Sequence, residues 1–341
     1  MPRLRKADCT GPGIHRIRRG RGFSYQEEDG TRIEDPEVIE RAAELAIPPA
    51  WTEVWICPHP RGHIQATGID DAGRKQYLYH QQWREHRDRA KFERMLEFAR
   101  RLPGMRAQLD QDLALRGLQE RRSLACAAKL LDLGFFRIGG ERYAIENESY
   151  GLATMRREHV HLKRGRVFFD FPAKSSKRQQ QEIADPSVLP TIRALKRRRG
   201  GGEELFAFRE GREWRDVTSE GINEYLKELT GDEFTAKDFR TWNATVLAAV
   251  AIAVRADDAE TKTARKRVAN EAVKQVAEYL NNTPAVCRSA YIDPRVFDAF
   301  ESGQTIRRSL KRLGASTEPA EFVDREAIER AVTRLLKSAG G

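Results

Sequence analysis

Apolar positions follow two different rhythms along the chain. Between residues 22 and 79 they alternate over short runs, separated by the turn signals Asp29-Gly30, Pro48-Pro49, Pro58-His59-Pro60 and Asp71-Ala72-Gly73. A period near two, broken by Gly and Pro, predicts strands. Residues 51–57, 63–67 and 76–79 are three of them, and residues 36–46 have helical spacing. From Ala90 the spacing changes to three and four. Helices are expected over 91–101, 104–117 and 120–133, the last ending at Gly134. Residues 159–162, 167–171 and 178–183 return to the short period, around polar turns at 163–166 and 172–177. Helices are expected again over 185–200, 216–230, 244–254, 262–280 and 318–337, with Gly200-Gly201-Gly202 as a flexible connector. The expected class is α+β. A small antiparallel-sheet domain covers residues 1–89, and a larger, mainly helical domain with a hairpin or three-stranded element covers 90–341.

The most sharply punctuated stretch is 280–293. Thr283 suits a helix N-cap and Pro284 the first helical position. Asp293-Pro294 ends that helix and opens another over 295–302. Tyr291 then sits near the helix end and Asn282 just before its start. Taken alone, such a tyrosine reads more readily as core or surface. Three other positions share its ambiguity. Arg137 lies among Phe135, Phe136, Ile138 and the Gly139-Gly140 pair, so its charge needs either a bound anion or a structural ion pair. Lys174 occupies the 172–177 turn, either as a solvated turn residue or as a group pushed into a groove or active site. Arg240 follows a capping-box pattern, Thr235 to Asp238, at the mouth of an apolar helix. An anion is favoured there by free N–H groups, and a guanidinium adds a bidentate clamp. In the N-terminal part, Gln76 offers an amide edge suited to adenine, and Tyr77 and Tyr79 share one strand face. That face either packs in the core or lies toward a DNA groove.

Composition narrows the partners. A third of the residues are charged, the net charge is +10 and the pI is about 9.5. This balance suits a polyanion, nucleic acid first and an anionic membrane second, or a basic soluble protein without such a partner. Residues 1–22, with seven Lys and Arg against Asp8, read as a flexible arm tracking phosphates or as a solvated terminus. Cys9, Cys57, Cys126 and Cys287 have neither metal nor disulfide spacing, which suits a reducing cytosol. No signal-peptide pattern is seen, and the longest apolar run, 244–254, is too short for a bilayer. Neither a carboxylate or histidine cluster nor a Gly-x-x-x-x-Gly-Lys-Ser/Thr loop is present.

Two arginines, a lysine, an asparagine and a tyrosine together suit one reaction. Tyrosine, with a pKa of about 10, is a poor nucleophile until the phosphodiester it attacks is neutralised and the leaving oxygen is protonated. Arg137 and Arg240 can hold the non-bridging oxygens, Lys174 can protonate a departing 5′-oxygen, and Asn282 can donate one more hydrogen bond. The product is a tyrosyl phosphate, and exchanging one phosphodiester for another needs no ATP.

From about Gly13 to Asp293 the chain resembles the type IB DNA topoisomerases, in their small bacterial and poxvirus-like branch. The motifs are Gly73-Arg-Lys-Gln-Tyr-Leu-Tyr79, Arg137-Ile-Gly-Gly-Glu-Arg-Tyr143, Ser149-Tyr-Gly-Leu152, Phe169-Asp-Phe-Pro-Ala-Lys174-Ser-Ser-Lys177, Lys237-Asp-Phe-Arg240-Thr, and Asn282-Thr-Pro followed by Ser289-Ala-Tyr291. The resemblance implies that Arg137, Lys174, Arg240, Asn282 and Tyr291 form the catalytic set, Tyr291 forming a 3′-phosphotyrosyl link. Gln76, Tyr77, Tyr79, Tyr143 and Lys237 are then expected to contact DNA. It implies a monomer closing as a clamp on duplex DNA, preferably supercoiled, with strand swivelling before religation. A cytoplasmic, nucleoid-associated location is expected, with no membrane, no ATP and no required metal, divalent ions only stimulating. Two departures stand out. Asn282 replaces the histidine common at that position, which leaves hydrogen bonding but not proton transfer. Gly140 stands where some relatives carry a DNA-contacting lysine. The alternative enzyme is a tyrosine recombinase or integrase. Such enzymes usually carry His-x-x-Arg where this chain has Lys237-x-x-Arg240, and all seven histidines here lie at or before His161. The remaining alternative is a non-catalytic basic DNA-binding protein.

Overall fold

The computed structural model describes residues 3–134, 136–141, 144–145, 148–173, 177–313 and 324–339. They divide into two compact units, Met1–Lys91 and Phe92–Gly341.

The first unit is built on five antiparallel strands, β1 (Ile14–Arg19), β2 (Gly22–Gln26), β3 (Thr52–Ile56), β4 (Ile64–Ile69) and β5 (Lys75–Tyr79), in the spatial order β2-β1-β3-β4-β5. Helix α1 (Pro36–Glu44) starts on Asp35, whose carboxylate accepts the Glu37 N–H at 2.9 Å. Ile14, Ile33, Ile47, Val54, Ile56 and Ala66 form the core of this unit. Strand β1 corrects the expectation of a basic arm through residue 22. It pairs with β2 on one side and β3 on the other, so it lies inside the sheet. Its arginines disguise it. Arg16 donates to the carbonyls of Ile47, Pro48 and Trp51 at 2.8–2.9 Å, so its charge is satisfied within the unit.

Helix α2 (Gln81–Leu113) is the second correction, because one helix runs where a break at Pro103 was expected. Proline lacks the N–H and clashes with the preceding turn, at a cost of about 3 kcal/mol. Phe92, Met95, Phe98, Leu102, Met105 and Leu109 nevertheless form one uninterrupted buried stripe across it. Each such side chain contributes about 1.5–3 kcal/mol on burial, so the stripe outweighs the proline.

The second unit continues with α3 (Glu120–Leu133) and the sheet β6 (Val160–Lys163), β7 (Arg166–Ala173) and β8 (Lys177–Ile183), ordered β6-β7-β8. Helix α4 (Leu189–Arg197) and the hairpin β9 (Ala207–Glu210) and β10 (Glu213–Asp216) follow. This hairpin was not foreseen. Asp216 ends its second strand, and α5 (Ser219–Thr230) begins only after Thr218, whose hydroxyl accepts the Gly221 N–H at 3.0 Å. Helix α6 (Ala236–Val254) is the axis of the unit, with every residue from Asp238 to Ala253 buried. It packs on α3, α5 and α7 (Lys262–Leu280), and on α9 (Arg295–Glu301), α10 (Arg307–Leu313) and α11 (Arg325–Ala339). The short α8 (Pro284–Ala290) lies between α7 and α9 in sequence. The C-terminal helix was expected over 318–337; its described part is α11, and residues 314–323 lie outside the described residues. Among the described residues no helix is long and apolar enough to cross a membrane.

Candidate active site

The segment that carries Tyr291 is fixed at both ends by local backbone chemistry. Helix α7 stops at Asn281, which adopts the left-handed conformation (φ 50°, ψ 53°), and the Asn282 N–H bonds back to the Ala277 carbonyl at 3.0 Å. Asparagine tolerates this conformation better than most residues. Thr283 then caps α8, accepting the Val286 N–H at 3.3 Å, with Pro284 at the first helical position. Tyr291 ends α8, its N–H on the Cys287 carbonyl at 3.0 Å. The α7 stop and the α8 start thus place Asn282 at one end of α8 and Tyr291 at the other.

Arg137 reaches the same place from α3. Beyond Leu133 the chain extends, and Phe136 anchors it by packing against Phe169 and Phe171 of β7. Leu152 and Ala153 donate their N–H groups to the Arg137 and Ile138 carbonyls at 2.8 and 2.7 Å. The two segments approach so closely that a Cβ on Gly139, itself at φ +80°, would lie 2.8 Å from the Gly151 Cα. Glycine is required at both positions for this clamp to close. Arg137 Nη2 donates to Asn282 Oδ1 at 2.8 Å and to the Asn281 carbonyl at 3.2 Å. With its oxygen held by Arg137, Asn282 presents the other end of its amide. That Nδ2 is buried and has no hydrogen-bond partner among the described residues. A buried donor without an acceptor is costly, and an entering phosphate oxygen would relieve it.

Arg240 is supplied by the first turns of α6, after the Thr235–Asp238 capping box. It is 4% exposed, donates from Nη2 to the Leu280 carbonyl at 2.8 Å, and holds its Cζ 5.3 Å from the centre of the Tyr291 ring. Burial, with Arg137 nearby, pushes its pKa down to about 10, while Tyr291 acts in the opposite direction. Two cations this near each other, one of them buried, repel until an anion enters between them. For Tyr291, burial alone would raise the phenol, but Arg240, Arg137 and Lys237 outweigh it and hold the pKa below the ordinary 10. The site therefore stabilises negative charge on the phenolic oxygen and on any phosphate beside it.

Arg137, Arg240, Asn282 and Tyr291 are thus brought together. Lys237 is the second residue of α6 and is exposed. Lys174 and Tyr143 lie outside the described residues; β7 and β8 flank the former, pairing Ala173 with Lys177. In the first unit, the Tyr77 and Tyr79 rings stack on one face of β5, 6.2 Å apart, and Tyr77 is 44% exposed, so it does not pack in the core. Gln76 lies on the other face of the strand, where its amide donates to Asp70 at 2.8 Å. Arg74 donates from Nε and Nη2 to the same carboxylate oxygen, at 3.0 and 2.8 Å. Sequence spacing did not single out Asn281 or the Gly139–Gly151 contact. The signal for Asn281 is an asparagine directly after an apolar helix end and just before a new N-cap.

Comparison with known proteins gives two family matches. The family described as eukaryotic DNA topoisomerase I, catalytic core, matches residues 80–315, and that described as bacterial DNA topoisomerase IB, N-terminal domain, matches residues 22–70. The chain is similar to DNA topoisomerase 1B of Acanthamoeba polyphaga mimivirus, 32% identical over 85% of this chain and 88% of that protein. It is also similar to DNA topoisomerase 1 of Daucus carota, 31% identical over 59% of this chain but only 25% of that longer protein. DNA topoisomerase I of Monkeypox virus is 20% identical over 68% of this chain and 70% of its own length.

Proposed function

The chain belongs to the type IB DNA topoisomerases, and from that premise we propose how its residues relax DNA. Tyr291 Oη attacks a backbone phosphorus, the new O–P bond forms as the bond to the 5′-oxygen breaks, and the strand is left 3′-linked to the enzyme. The phenolic proton leaves to solvent, and Lys174 gives a proton to the departing 5′-oxygen. Arg137, Arg240 and the free Asn282 amide donor neutralise the non-bridging oxygens as the pentacoordinate phosphate forms. Asn282 acts only by hydrogen bonding, since an amide carries no exchangeable charge near neutral pH. The freed strand swivels, and the reverse attack by the 5′-hydroxyl restores the duplex. Bond energy is conserved in the phosphotyrosine, so no nucleotide is consumed.

The observation that carries this reading is the approach of two guanidiniums to the one tyrosine, with the Asn282 amide, held by Arg137, offering a donor that has no partner among the described residues. The recombinase alternative is not favoured by the family matches. The substrate is duplex DNA, preferentially supercoiled, bound by a monomer through both units. Tyr77 and Tyr79 on one face of β5, Tyr143, and Lys237 near the nucleophile supply contacts to it, Gln76 on the other face doing so only if its amide leaves Asp70, and the +10 charge provides the general attraction to phosphate. No metal is required, divalent ions at most speeding product release, and the enzyme works in the cytoplasm on the nucleoid. The test is relaxation of a negatively supercoiled plasmid without ATP and with excess EDTA. Full relaxation is expected. Protein-linked nicks without efficient relaxation would point instead to a recombinase needing paired sites, and salt-sensitive binding with neither activity would leave a DNA-binding protein.

A further inference from the structure

Thr245 is the last of the buried polar residues of helix α6, after Asp238, Arg240, Thr241 and Asn243; it is 1% exposed and lies five residues beyond Arg240. A threonine inside a buried helix usually returns its hydroxyl to the carbonyl four residues back, and Thr245 does so, with the Thr241 carbonyl at 2.8 Å. Its oxygen has further neighbours. It lies 3.3 Å from the Tyr291 carbonyl and accepts the Asp293 N–H at 3.1 Å.

These contacts answer a problem created by the end of α8. The Tyr291 and Ile292 N–H groups both return to the Cys287 carbonyl. The next N–H, that of Asp293, has left the helix and belongs to a residue with no exposed surface. Unpaired, it would carry the full desolvation penalty. Thr245 is its acceptor. The Asp293 carboxylate in turn takes the Arg295 guanidinium, which also donates to the Phe92 carbonyl at 2.9 Å. At the other end of the same segment, Arg240 holds the Leu280 carbonyl. Helix α6 therefore grips the chain on both sides of the nucleophile, at residue 280 through Arg240 and at residues 291–293 through Thr245. One rigid helix sets the distance between the tyrosine and the arginine that neutralises its target.

We propose that Thr245 is a positioning residue for DNA cleavage: its buried hydroxyl oxygen accepts the Asp293 N–H and so fixes the backbone directly after Tyr291, with its one proton shared between the Thr241 and Tyr291 carbonyls, so that the phenol faces Arg240. The proposal rests on Tyr291 being the nucleophile. Nucleophilic attack is steep in geometry, an ångström of displacement costing up to about a hundredfold in rate. A loosened α8 exit should therefore slow cleavage and leave DNA binding, which uses other groups, in place.

The experiment is single-turnover cleavage of a duplex oligonucleotide, read as SDS-trapped adduct, alongside a DNA-binding titration and thermal melting of each protein. Thr245→Val keeps the shape and removes the hydroxyl; it should cleave roughly tenfold or more slowly at unchanged DNA affinity, well below its melting temperature. Thr245→Ser restores the hydroxyl and should return the rate to within about twofold, a rescue that lost methyl packing would not give. Thr245→Cys, a weaker hydrogen-bonding group, should fall between them. If the valine variant does not fold, the comparison of serine and cysteine carries the test. Equal cleavage by the valine variant, or equal rates for serine and cysteine where valine fails to fold, overturns the proposal. Absence of adduct in the unaltered enzyme would instead overturn the nucleophile assignment on which it rests.

Discussion

Asn282 shows how far a single side chain can be reasoned from its neighbours. Arg137 takes its oxygen, so its nitrogen is left as a buried donor without a partner among the described residues. Replacing it with alanine removes one transition-state donor, and cleavage should slow by about a hundredfold, the usual size for a preorganised donor to a developing oxyanion. Asn282→His keeps a donor and should retain cleavage within about tenfold of the parent. Single-turnover rates on one oligonucleotide check both, and an alanine variant as fast as the parent would remove Asn282 from the site. Much at this scale was legible beforehand. The capping box placed Arg240 at the start of a helix, and the Thr-Pro and Asp-Pro punctuation placed Tyr291 at the end of a short one, though that tyrosine alone read more readily as core or surface. Thr245 was not legible, because a threonine within an apolar run looks like core until the chain that ends α8 is seen beside it.

At the scale of elements, Pro103 is the instructive case. Local propensity argues for two helices, and the buried stripe from Phe92 to Leu109 makes one. The proline is exposed on the outer side of that helix, so it contributes nothing to the core there. Pro103→Ala restores a backbone hydrogen bond and removes the ring clash, and should stabilise the protein by about 1–3 kcal/mol. The urea midpoint reports this directly. An unchanged or lower midpoint would mean that the helix is bent to suit the proline and that its neighbours depend on the bend. Strand β1 failed in the sequence reading for the opposite reason. Its two apolar residues, Ile14 and Ile17, do not alternate, Arg16, Arg18 and Arg19 made it look solvated, and only the carbonyls of Ile47, Pro48 and Trp51 explain why Arg16 can lie within a sheet. Hairpin β7–β8, by contrast, read correctly from its short period around a polar turn, while the apolar run 244–254 read as a helix that in fact begins earlier, at Ala236, through the polar residues that follow its capping box.

At the scale of the molecule, one ionic network joins distant parts of the second unit. Arg106 of α2 pairs with Asp132 of α3 at 2.9 Å and with Glu329 of α11 at 2.7 Å, and Arg325 of α11 reaches both Asp132 and Asn243 of α6. Residues 106 and 329 are too far apart in the chain for any local pattern to have linked them. Burial alone would raise the Asp132 pKa, but Arg325 and Arg106 prevail and hold it below its ordinary 3.8. A carboxylate depressed on folding contributes stability above its unfolded pKa and loses it as pH falls through the folded value. The network should therefore be intact at neutral pH and weaken below about pH 4. Asp132→Ala removes one of the two carboxylates that hold the half-buried Arg106 and Arg325, leaving them Glu329, and should cost about 3 kcal/mol at pH 7. Urea unfolding at pH 7 and at pH 3 measures it, and a cost that does not shrink at the lower pH would assign the loss to packing instead of charge. The net charge of +10 was readable from composition and agrees with a DNA substrate, but composition alone did not place a catalytic group.

The most direct test of the account is to trap the covalent complex on duplex DNA with SDS, digest protein and DNA, and locate the nucleotide-bearing residue by mass spectrometry. The prediction is a 3′-phosphonucleotide on Tyr291, and no adduct from Tyr291→Phe, which should still bind DNA. An adduct that persists in the phenylalanine variant, with half-buried Tyr279 as the nearest other candidate in sequence, would contradict the assignment on which the site has been built.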